Sequence, residues 1–365
     1  MKKVKLTEIC NPKQWKTLST NELKDDGKYL VYGANGIIGS YNTYNHEKET
    51  VLITCRGATC GNIHISKEKS YINGNAMALD DLNEKICLKR YLYYFLKQYD
   101  MKKIISGSAQ PQITVQSLKK VYIKLYDKDI QNEIINKLDI VQEIIDIRKK
   151  QIEELDELIK SKFVEMFGTL NNSRWKLKKL ENVTLKITDG KHGGCEREEN
   201  SGYYFVGATE IYNNRMNYEN ANQITKKDFE KDYTRCDLKI NDFVIVNTGA
   251  TIGKSAIIDD GICERVLLQK SVALIRVKKE VILPIFLKYC YECNPSLYSK
   301  GQGCARVNLL LSQIKNTMIP VPPIELQNKF ASFVKQIDKQ KNGIQKSLEE
   351  IQKLQESLMN KYFGG

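Results

Sequence analysis

The stretch DIQNEIINKLDIVQEIIDIRKKQIEELDELIKSKFVEMF (129–167) contains neither Gly nor Pro and is followed directly by Gly168. Apolar residues recur along it every seven positions, at Leu138, Ile145, Ile152, Ile159 and Met166. This period is typical of a helix that buries one narrow apolar seam against a partner helix. The sequence therefore predicts one long helix that ends at Gly168 and needs a long partner.

A second stretch, 325–363, repeats the period and precedes Gly364. Its apolar seam consists of Phe330, Ile337, Ile344, Ile351 and Leu358. Each stretch has 39 residues, which corresponds to a helix of about 58 Å at about 1.5 Å per residue. The core of an ordinary helical bundle shows the same period. The rest of the chain therefore has to decide between a bundle and two antiparallel helices that form a spacer coiled coil.

Positive charge is concentrated outside the two predicted helices. The chain has a formal net charge of +13, but the first helix carries ten acidic and six basic residues and the second five acidic and seven basic ones. The excess of Lys and Arg in the other segments favours a polyanionic partner such as nucleic acid. Bias in genome composition can also enrich a protein in Lys, so charge alone does not establish this.

Cysteine usage and apolar runs indicate the compartment. The ten cysteines are scattered through a chain that is long enough for a sizeable core, unlike the dense pattern of a small disulfide scaffold. The start, MKKVKLTEIC, has no apolar run of signal-peptide length, and nowhere do about 18 apolar residues follow one another. We expect a cytoplasmic protein with reduced thiols.

The chain contains an internal repeat with a shift of 192 to 196 residues. VLITCRGATCGNIHI (51–65) resembles FVIVNTGATIGKSAII (243–258), since both place Gly-Ala-Thr, one residue and Gly between apolar runs. Further on, SGSAQPQI (106–113) precedes the first long helix as GQGCARVNL (301–309) precedes the second. Each half therefore reads as a globule followed by a long helix.

The repeat predicts an α+β protein with two pseudo-repeated globular α/β domains separated by the two long antiparallel helices. Short runs rich in Val, Ile and Tyr, broken by Gly, Asn and Asp, predict a strongly bent sheet with one or two short helices in each globule. The predicted segments are 1–128, 129–168, 169–324 and 325–365. Two similar basic faces at a fixed separation would select paired half-sites along a DNA duplex.

Motifs for catalysis or metal binding are weak. Gly249-Ala-Thr-Ile-Gly253-Lys254-Ser255 resembles a phosphate-binding P-loop, but its first glycine is one residue too close. Gly33-Ala-Asn-Gly36-Ile-Ile-Gly39 has the wrong spacing for a dinucleotide fingerprint. The pair Cys290 and Cys293 has no second C-x-x-C, which favours buried thiols over a metal site. We therefore predict no catalytic residue and no metal ligand.

Several segments together resemble the specificity subunit of a Type I restriction–modification system. They are YGANGIIGSYNTYN (32–45), TVLITCRGATCGNI (50–63), DGKHGG (189–194), GATIGKSAII (249–258) and IPVPPIELQNKF (319–330). The resemblance covers essentially the whole chain. One departure is that the first half has no clear counterpart of DGKHGG, which suggests two target-recognition domains of different subclasses.

The resemblance implies a bacterial or archaeal DNA-recognition subunit that catalyses nothing itself. Each target-recognition domain would read one half of a bipartite sequence in double-stranded DNA, and the paired helices would set the spacer. The helices would also dock two methyltransferase (modification) subunits, and the full complex would add restriction/translocase subunits. The resemblance implies that the partners methylate adenine at N6. No cofactor is expected on this chain, whereas S-adenosylmethionine for methylation, and Mg²⁺ and ATP for restriction, are expected on the partners.

Candidate DNA contacts follow from side-chain chemistry, because Arg, Lys, Asn and Gln can pair with base edges and Lys, Ser and Thr can hold phosphates. In the first domain the candidates are Asn35, Tyr41, Asn42, Arg56, Asn62, Ser108 and Gln110. In the second they are Lys191, His192, Arg197, Asn213, Arg215, Thr248, Lys254 and Arg306.

Two alternatives stay open on the sequence. One is a coiled-coil adaptor whose two globules bind proteins or anionic surfaces without reading DNA sequence. Competition by random DNA separates this alternative, since sequence-specific recognition survives an excess of unspecific duplex. The other is a nuclease or methyltransferase of unrecognised type, which would cleave or methylate DNA on its own.

Overall fold

A computed structural model describes residues 2–34, 36–107, 110–170, 174–298 and 308–364. The chain divides into two compact units. The first comprises Met1–Lys150 and Gln345–Gly365, and the second comprises Gln151–Ile344. Each unit therefore contains one globule and part of both long helices, while the sequence-based division at residues 128, 168 and 324 stays a prediction.

The described part of the first half contains nine strands and four α-helices. Its strands are β1 Lys2–Lys5, β2 Asn11–Gln14, β3 Tyr29–Gly33, β4 Gly36–Tyr41, β5 Val51–Thr54, β6 Ile63–Ile65, β7 Tyr71–Ile72, β8 Ala76–Asp80 and β9 Tyr122–Leu125. Its helices are α1 Leu6–Ile9, α2 Lys89–Gln98, α3 Val115–Leu118 and α4 Lys128–Phe167.

The described part of the second half contains eleven strands and four α-helices. Its strands are β10 Leu177–Lys179, β11 Thr184–Asp189, β12 Tyr204–Val206, β13 Ile211–Tyr212, β14 Arg215–Met216, β15 Asn222–Gln223, β16 Phe243–Val246, β17 Ser255–Ile257, β18 Val266–Leu268, β19 Val272–Val277 and β20 Met318–Pro320. Its helices are α5 Lys226–Cys236, α6 Pro284–Glu292, α7 Leu311–Asn316 and α8 Ile324–Phe363.

The two globules share one strand topology. The first has a four-stranded antiparallel sheet in the order β2-β8-β5-β6, a three-stranded sheet β4-β3-β7 and the pair β1-β9. The second has the same arrangement in β11-β19-β16-β17, β15-β12-β18 and β10-β20, with an additional β13-β14 hairpin. In each three-stranded sheet one pair is parallel, namely β3 with β7 and β12 with β18. The single bent sheet expected from the sequence is therefore wrong, and each globule instead divides its strands among separate sheets.

The long helices α4 and α8 run antiparallel. In the first unit, Phe363 near the end of α8 packs on Tyr91 and Phe95 of α2, with ring centroids 5.3 and 6.0 Å apart, within the core that also holds the start of α4. In the second unit, Phe163 near the end of α4 packs on Phe330 near the start of α8, with centroids 5.4 Å apart. The two long helices predicted from the seven-residue period are confirmed, and each begins one residue earlier than predicted.

The predicted seam residues differ in burial. Leu138, Ile145, Ile159, Phe330 and Ile337 are buried, whereas Ile152, Ile344, Ile351 and Leu358 are half-buried. The aromatic cluster of the second unit adds Phe167, which lies 4.8 Å from Phe286 of α6 and 5.6 Å from Phe330 between ring centroids. Large aromatic side chains therefore supply much of the burial where the helices meet this globule.

A buried glutamine anchors the start of each long helix. The Gln131 side chain accepts a hydrogen bond from the Leu88 amide at 2.9 Å and donates to the carbonyls of Ile86 and Tyr126 at 2.9 and 2.8 Å. Both Gln131 and its counterpart Gln327 are 0% exposed. A buried amide is stabilising only when its donors and acceptors are paired, and here all of these bonds are to backbone groups.

Gln327 repeats this arrangement in the second unit. It accepts a hydrogen bond from the Leu283 amide at 2.8 Å and donates to the carbonyls of Val281 and Pro322 at 3.0 and 2.9 Å. In both halves, one glutamine thus joins the segment before the long helix to the segment before an earlier helix, α2 in the first half and α6 in the second. This network fixes the direction in which each long helix leaves its globule.

Replacing Gln131 or Gln327 with Leu keeps the side-chain volume similar but leaves one amide and two carbonyls buried without partners. We expect each substitution to lower the free energy of unfolding of its unit by about 1–3 kcal/mol or more, measured by urea denaturation. The control is Gln352→Leu on the exposed face of α8, for which we expect a change within about 0.5 kcal/mol. Equal effects at buried and exposed positions would contradict the anchoring role.

Candidate nucleic-acid interface

The Gly-Ala-Thr segment of the first globule is the turn of the β5-β6 hairpin. The Thr54 amide donates to the Asn62 carbonyl and the Gly61 amide donates to the Thr54 carbonyl, both at 2.8 Å. Gly57 and Gly61 have φ angles of +90° and +98°, a region that side chains disfavour. A Cβ on Gly61 would also lie 2.9 Å from the Cβ of Met101. The glycine pattern is therefore a requirement of this tight hairpin.

Two other segments meet at this hairpin. The hydroxyls of Thr54 and Thr59 donate to the Ala34 carbonyl at 2.7 and 3.0 Å, which ties the β3-β4 turn to it. Residue Arg56 pairs with Gln112 in a short antiparallel bridge, and the Ile113 amide donates to the Cys55 carbonyl at 3.0 Å. The turn after β3, the β5-β6 turn and the segment before α3 therefore form one edge of the first globule.

The predicted contacts of the first domain fall at two places. Exposed Arg56, Asn62 and Gln110 lie on the three-segment edge. Tyr41 and the exposed Asn42 lie at the opposite end of β4, about 17 Å from the turn at about 3.4 Å per residue. Tyr41 also packs edge-on against Tyr71 at 5.7 Å between centroids, which indicates a role in the fold. The predicted contacts Asn35 and Ser108 lie outside the described residues.

The second globule builds an equivalent hairpin between β16 and β17. The Val246 amide donates to the Lys254 carbonyl at 2.8 Å and the Gly253 amide donates to the Val246 carbonyl at 2.9 Å. Thr248 pairs with Asn308 in an antiparallel bridge, as Arg56 does with Gln112. The repeat found in the sequence thus extends to individual hydrogen bonds.

The DGKHGG segment (189–194) lies beside this hairpin. Gly190 and Lys191 donate their amides to the carbonyls of Val272 and Leu268, and the Asn247 amide next to Thr248 donates to the carbonyl of Ser271. A Cβ on Gly190 would lie only 2.1 Å from the Leu268 carbonyl oxygen, whereas Gly193 and Gly194 have no atom within 4 Å of such a position. The first glycine therefore anchors the segment, and the last two form its open tip.

Charged residues hold the anchored end of DGKHGG in place. The Arg235 guanidinium forms an ion pair with Asp189, and its Nε donates to the Asp189 carbonyl at 3.0 Å. His192 Nε2 lies 3.2 Å from the Asp189 carboxylate, with 63% of the His192 side chain exposed. Burial favours a raised pKa for Asp189, but the hydrogen bonds from Arg235 and His192 outweigh it and hold the pKa below its usual value. Asp189 therefore stays ionised and orients the exposed imidazole.

The remaining predicted contacts of the second domain differ in availability. Thr248 and the exposed Lys254 flank the hairpin turn, whereas the Lys191 ammonium forms a 2.7 Å ion pair with Asp232 and its side chain is only 13% exposed. Asn213 and Arg215 are exposed on the β13-β14 hairpin, where Asn213 has a φ angle of +52°. Arg197 is exposed and pairs with Ile224 at the edge of the three-stranded sheet. The predicted contact Arg306 lies outside the described residues.

Several residues that position the hairpin edges of the two globules could not be recognised from the sequence. Asp189 and Arg235 orient His192, and Thr54 and Thr59 hold the β3-β4 turn. Exposed Lys102 and Lys103 follow Met101, which packs against Gly61. The position of Asp189 directly before Gly-Lys-His was a signal in the sequence for its role beside His192. The roles of Arg235, Thr54 and Thr59 depend on contacts between distant segments.

The weak catalytic motifs have structural explanations. The P-loop-like segment is a strand–turn–strand hairpin rather than a loop that leads into a helix. Cys290 is fully buried, which raises the pKa of its thiol to about 12. Among the described residues, no group of three His, Cys, Asp or Glu side chains could hold a metal ion. The described helices also include none that is long and apolar enough to cross a membrane.

Comparison with known proteins agrees with this architecture. Over 371 aligned residues the chain is 25% identical to the Type I restriction enzyme MjaVIII specificity subunit of Methanocaldococcus jannaschii, covering 94% of this chain and 84% of the relative. The crystal structure of the S subunit of the type I restriction–modification system of M. genitalium superimposes with a TM-score of 0.58 at 16% identity, covering 99% of this chain and 96% of the other.

A second solved structure, from work on complex assembly and conformational transition of the type I R-M system, superimposes with a TM-score of 0.55 at 15% identity. It covers 100% of this chain and 97% of the other. The family model described as "Type I restriction modification DNA specificity domain" matches residues 1–157 and 172–355, once in each half. The chain belongs to the family of type I restriction–modification DNA specificity subunits.

Proposed function

We propose that this chain reads a bipartite sequence in double-stranded DNA for a type I restriction–modification complex and catalyses no reaction itself. The observation that carries the proposal is the repeat of one hairpin edge in two globules, each of which is linked to a long helix. Arg56 and Asn62 lie on one edge and Thr248 and Lys254 on the other, and all are exposed or partly exposed. Two such edges on one chain fit two half-sites on one duplex.

The candidate residues supply the chemistry that such reading requires. Arg, Asn and Gln side chains can form paired hydrogen bonds with base edges in the major groove, and Lys can contact phosphates. The second domain has two further donors, His192, which Asp189 orients, and Arg215 on the β13-β14 hairpin. The described part of the first domain has no equivalent of this hairpin. We therefore expect the two half-sites to differ in sequence.

The long helices set the gap between the half-sites in this proposal. α4 and α8 each have 40 residues and run antiparallel, so their common length is fixed by the chain rather than by a flexible linker. The sequence of each half-site would depend on its own globule, and the gap would depend only on the helices.

Inserting one heptad into each long helix at matching positions keeps the apolar seam in phase and adds about 10 Å at about 1.5 Å per residue. Because DNA rises about 3.4 Å per base pair, we expect a gap longer by about three base pairs with both half-sites unchanged. Sequencing of adenine methylation in cells that express the variant with its modification subunit measures the gap. An unchanged gap would refute the role of the helices as a spacer.

In this proposal the helices also dock the modification subunits. These partners carry out the S-adenosylmethionine-dependent chemistry. In the first unit, α4 exposes Ile140 and Ile147, which are 57% and 48% exposed and lie seven residues apart on one face. Exposed isoleucines one heptad apart are typical of a helix that packs against a further helix. The restriction/translocase subunits, with Mg²⁺ and ATP, would join this core complex.

Replacing Ile147 with Glu places a carboxylate on this exposed apolar face, and we expect at least a tenfold loss of affinity for the modification subunit, which corresponds to about 1.4 kcal/mol. Because Ile147 is half-exposed, the thermal stability of the isolated chain should change little. Lys149→Glu places a carboxylate on the same turn but a different face and serves as the control. Co-purification and binding calorimetry with the modification subunit measure both variants; equal losses would rule out this face as the docking site.

A further inference from the structure

The two hairpin turns, 57–61 and 249–253, leave their main chain uncovered in the same way. Gly57 and Gly249 have φ angles of +90° and +101°, and no atom lies within 4 Å of where a Cβ would be. The next residues, Ala58 and Ala250, are exposed, and their amides have no hydrogen-bond acceptor among the residues that the structure describes. The positive φ explains the glycines, but the turn does not require the small, open residue that follows.

Each turn is flanked by one exposed cation and one short polar residue, in exchanged positions. In the first globule Arg56 precedes the turn and Asn62 follows it, whereas in the second Thr248 precedes it and Lys254 follows it. Neither cation forms an ion pair within the described part of the chain, although many other Lys and Arg side chains there do. The position of the charge has changed between the halves, but its presence beside the turn has not.

Hydrogen bonds hold both turns rigidly, so the cation and the bare main chain keep one relative placement. The closing bonds span Thr54 to Asn62 and Val246 to Lys254, and each turn also pairs with the segment at Gln112 or Asn308. A preformed loop with free amides and one adjacent cation is a favourable site for an oxyanion. A base-reading loop would instead need side chains that differ with the half-site.

We propose that the two Gly-Ala-Thr turns are equivalent contacts for the phosphates of the DNA backbone, one in each half-site, and do not read bases. This inference rests on the proposed DNA-reading function and adds the role of these turns to it. The Ala58 and Ala250 amides and the neighbouring cation bind the phosphate, and the absence of side chains at the tip lets the backbone of the duplex approach. Base recognition then belongs to other residues of each edge.

The exchanged cations provide a rescue experiment on the complex of the full chain with its modification subunits. Arg56→Thr removes the cation of the first turn, and we expect about tenfold weaker binding to duplexes with and without the split target, with a salt slope smaller by about one. Adding Asn62→Lys recreates the arrangement of the second turn and should restore both quantities. In the second globule Lys254→Asn should weaken binding to the same extent. Adding Thr248→Arg to Lys254→Asn should restore the affinity and the salt slope.

The control is Lys85→Thr, which removes an exposed cation of the first unit away from the turn and should leave the affinity within about twofold of that of the unaltered complex, a change of roughly 0.4 kcal/mol. Affinity is measured by fluorescence anisotropy over a series of salt concentrations. If Arg56→Thr instead relaxes the choice of one base and Asn62→Lys does not rescue it, Arg56 reads a base and the proposal is overturned. Unchanged affinity in the single variants overturns it as well.

The failure of the underlying function has a different signature. If the unaltered complex shows no preference for any split sequence, the DNA-reading function fails regardless of the turns. If the unaltered complex prefers a split target and the single variants bind it with unchanged salt dependence, only the role of the turns fails. The melting temperature and partner binding of every variant are measured in parallel to verify that the exposed substitutions leave the fold intact.

Discussion

One buried glutamine at the start of each long helix determines how the two halves are built. Gln131 and Gln327 each have three hydrogen bonds to backbone groups of their own globule and no contact with solvent. A buried amide that lost these partners would be costly, so the helix can leave the globule only in the direction that preserves them. The same solution in both halves gives two similar globules the same relation to their long helices, on which a two-site recognition protein depends.

The long helices could be predicted from sequence because their signal is repeated many times. A seven-residue apolar period over 39 residues leaves little ambiguity in either stretch, although the second contains Gly343. The observed helices differ from the predicted ones by one residue at the start. Phe163 and Phe167 were missed because they lie outside the predicted seven-residue rows, yet both are buried where α4 meets α6 and α8. Their burial comes from the globule rather than from the helix period.

The sheets and the candidate site were harder to predict. β1 pairs with β9 and β10 with β20 across more than a hundred residues, and no local pattern encodes such pairing. The hairpin turns were recognisable because their glycines have a strict conformational requirement. Whether a side chain is free to contact DNA could not be predicted. Lys191 looks like a free cation in the sequence but forms an ion pair with Asp232, and Tyr41 packs on Tyr71.

The proposed function separates a common frame from variable recognition. The repeated hairpins, sheets and glutamine anchors occur in both halves, whereas the β13-β14 hairpin and the oriented His192 belong to the second half of the described chain. A phosphate contact is useful on any sequence, so it suits the shared hairpins, and base contacts suit the features that differ. One chain can thus hold two different readers in equivalent positions.

The most direct measurement is sequencing of adenine methylation across the genome of a host that co-expresses this chain with a type I modification subunit from the same source. The account predicts methylation confined to a split motif with two short defined halves and a gap of fixed length. Methylation at a single continuous motif, or a gap of variable length, would contradict it. Co-purification of the modification subunit in the same cells verifies that the complex has formed.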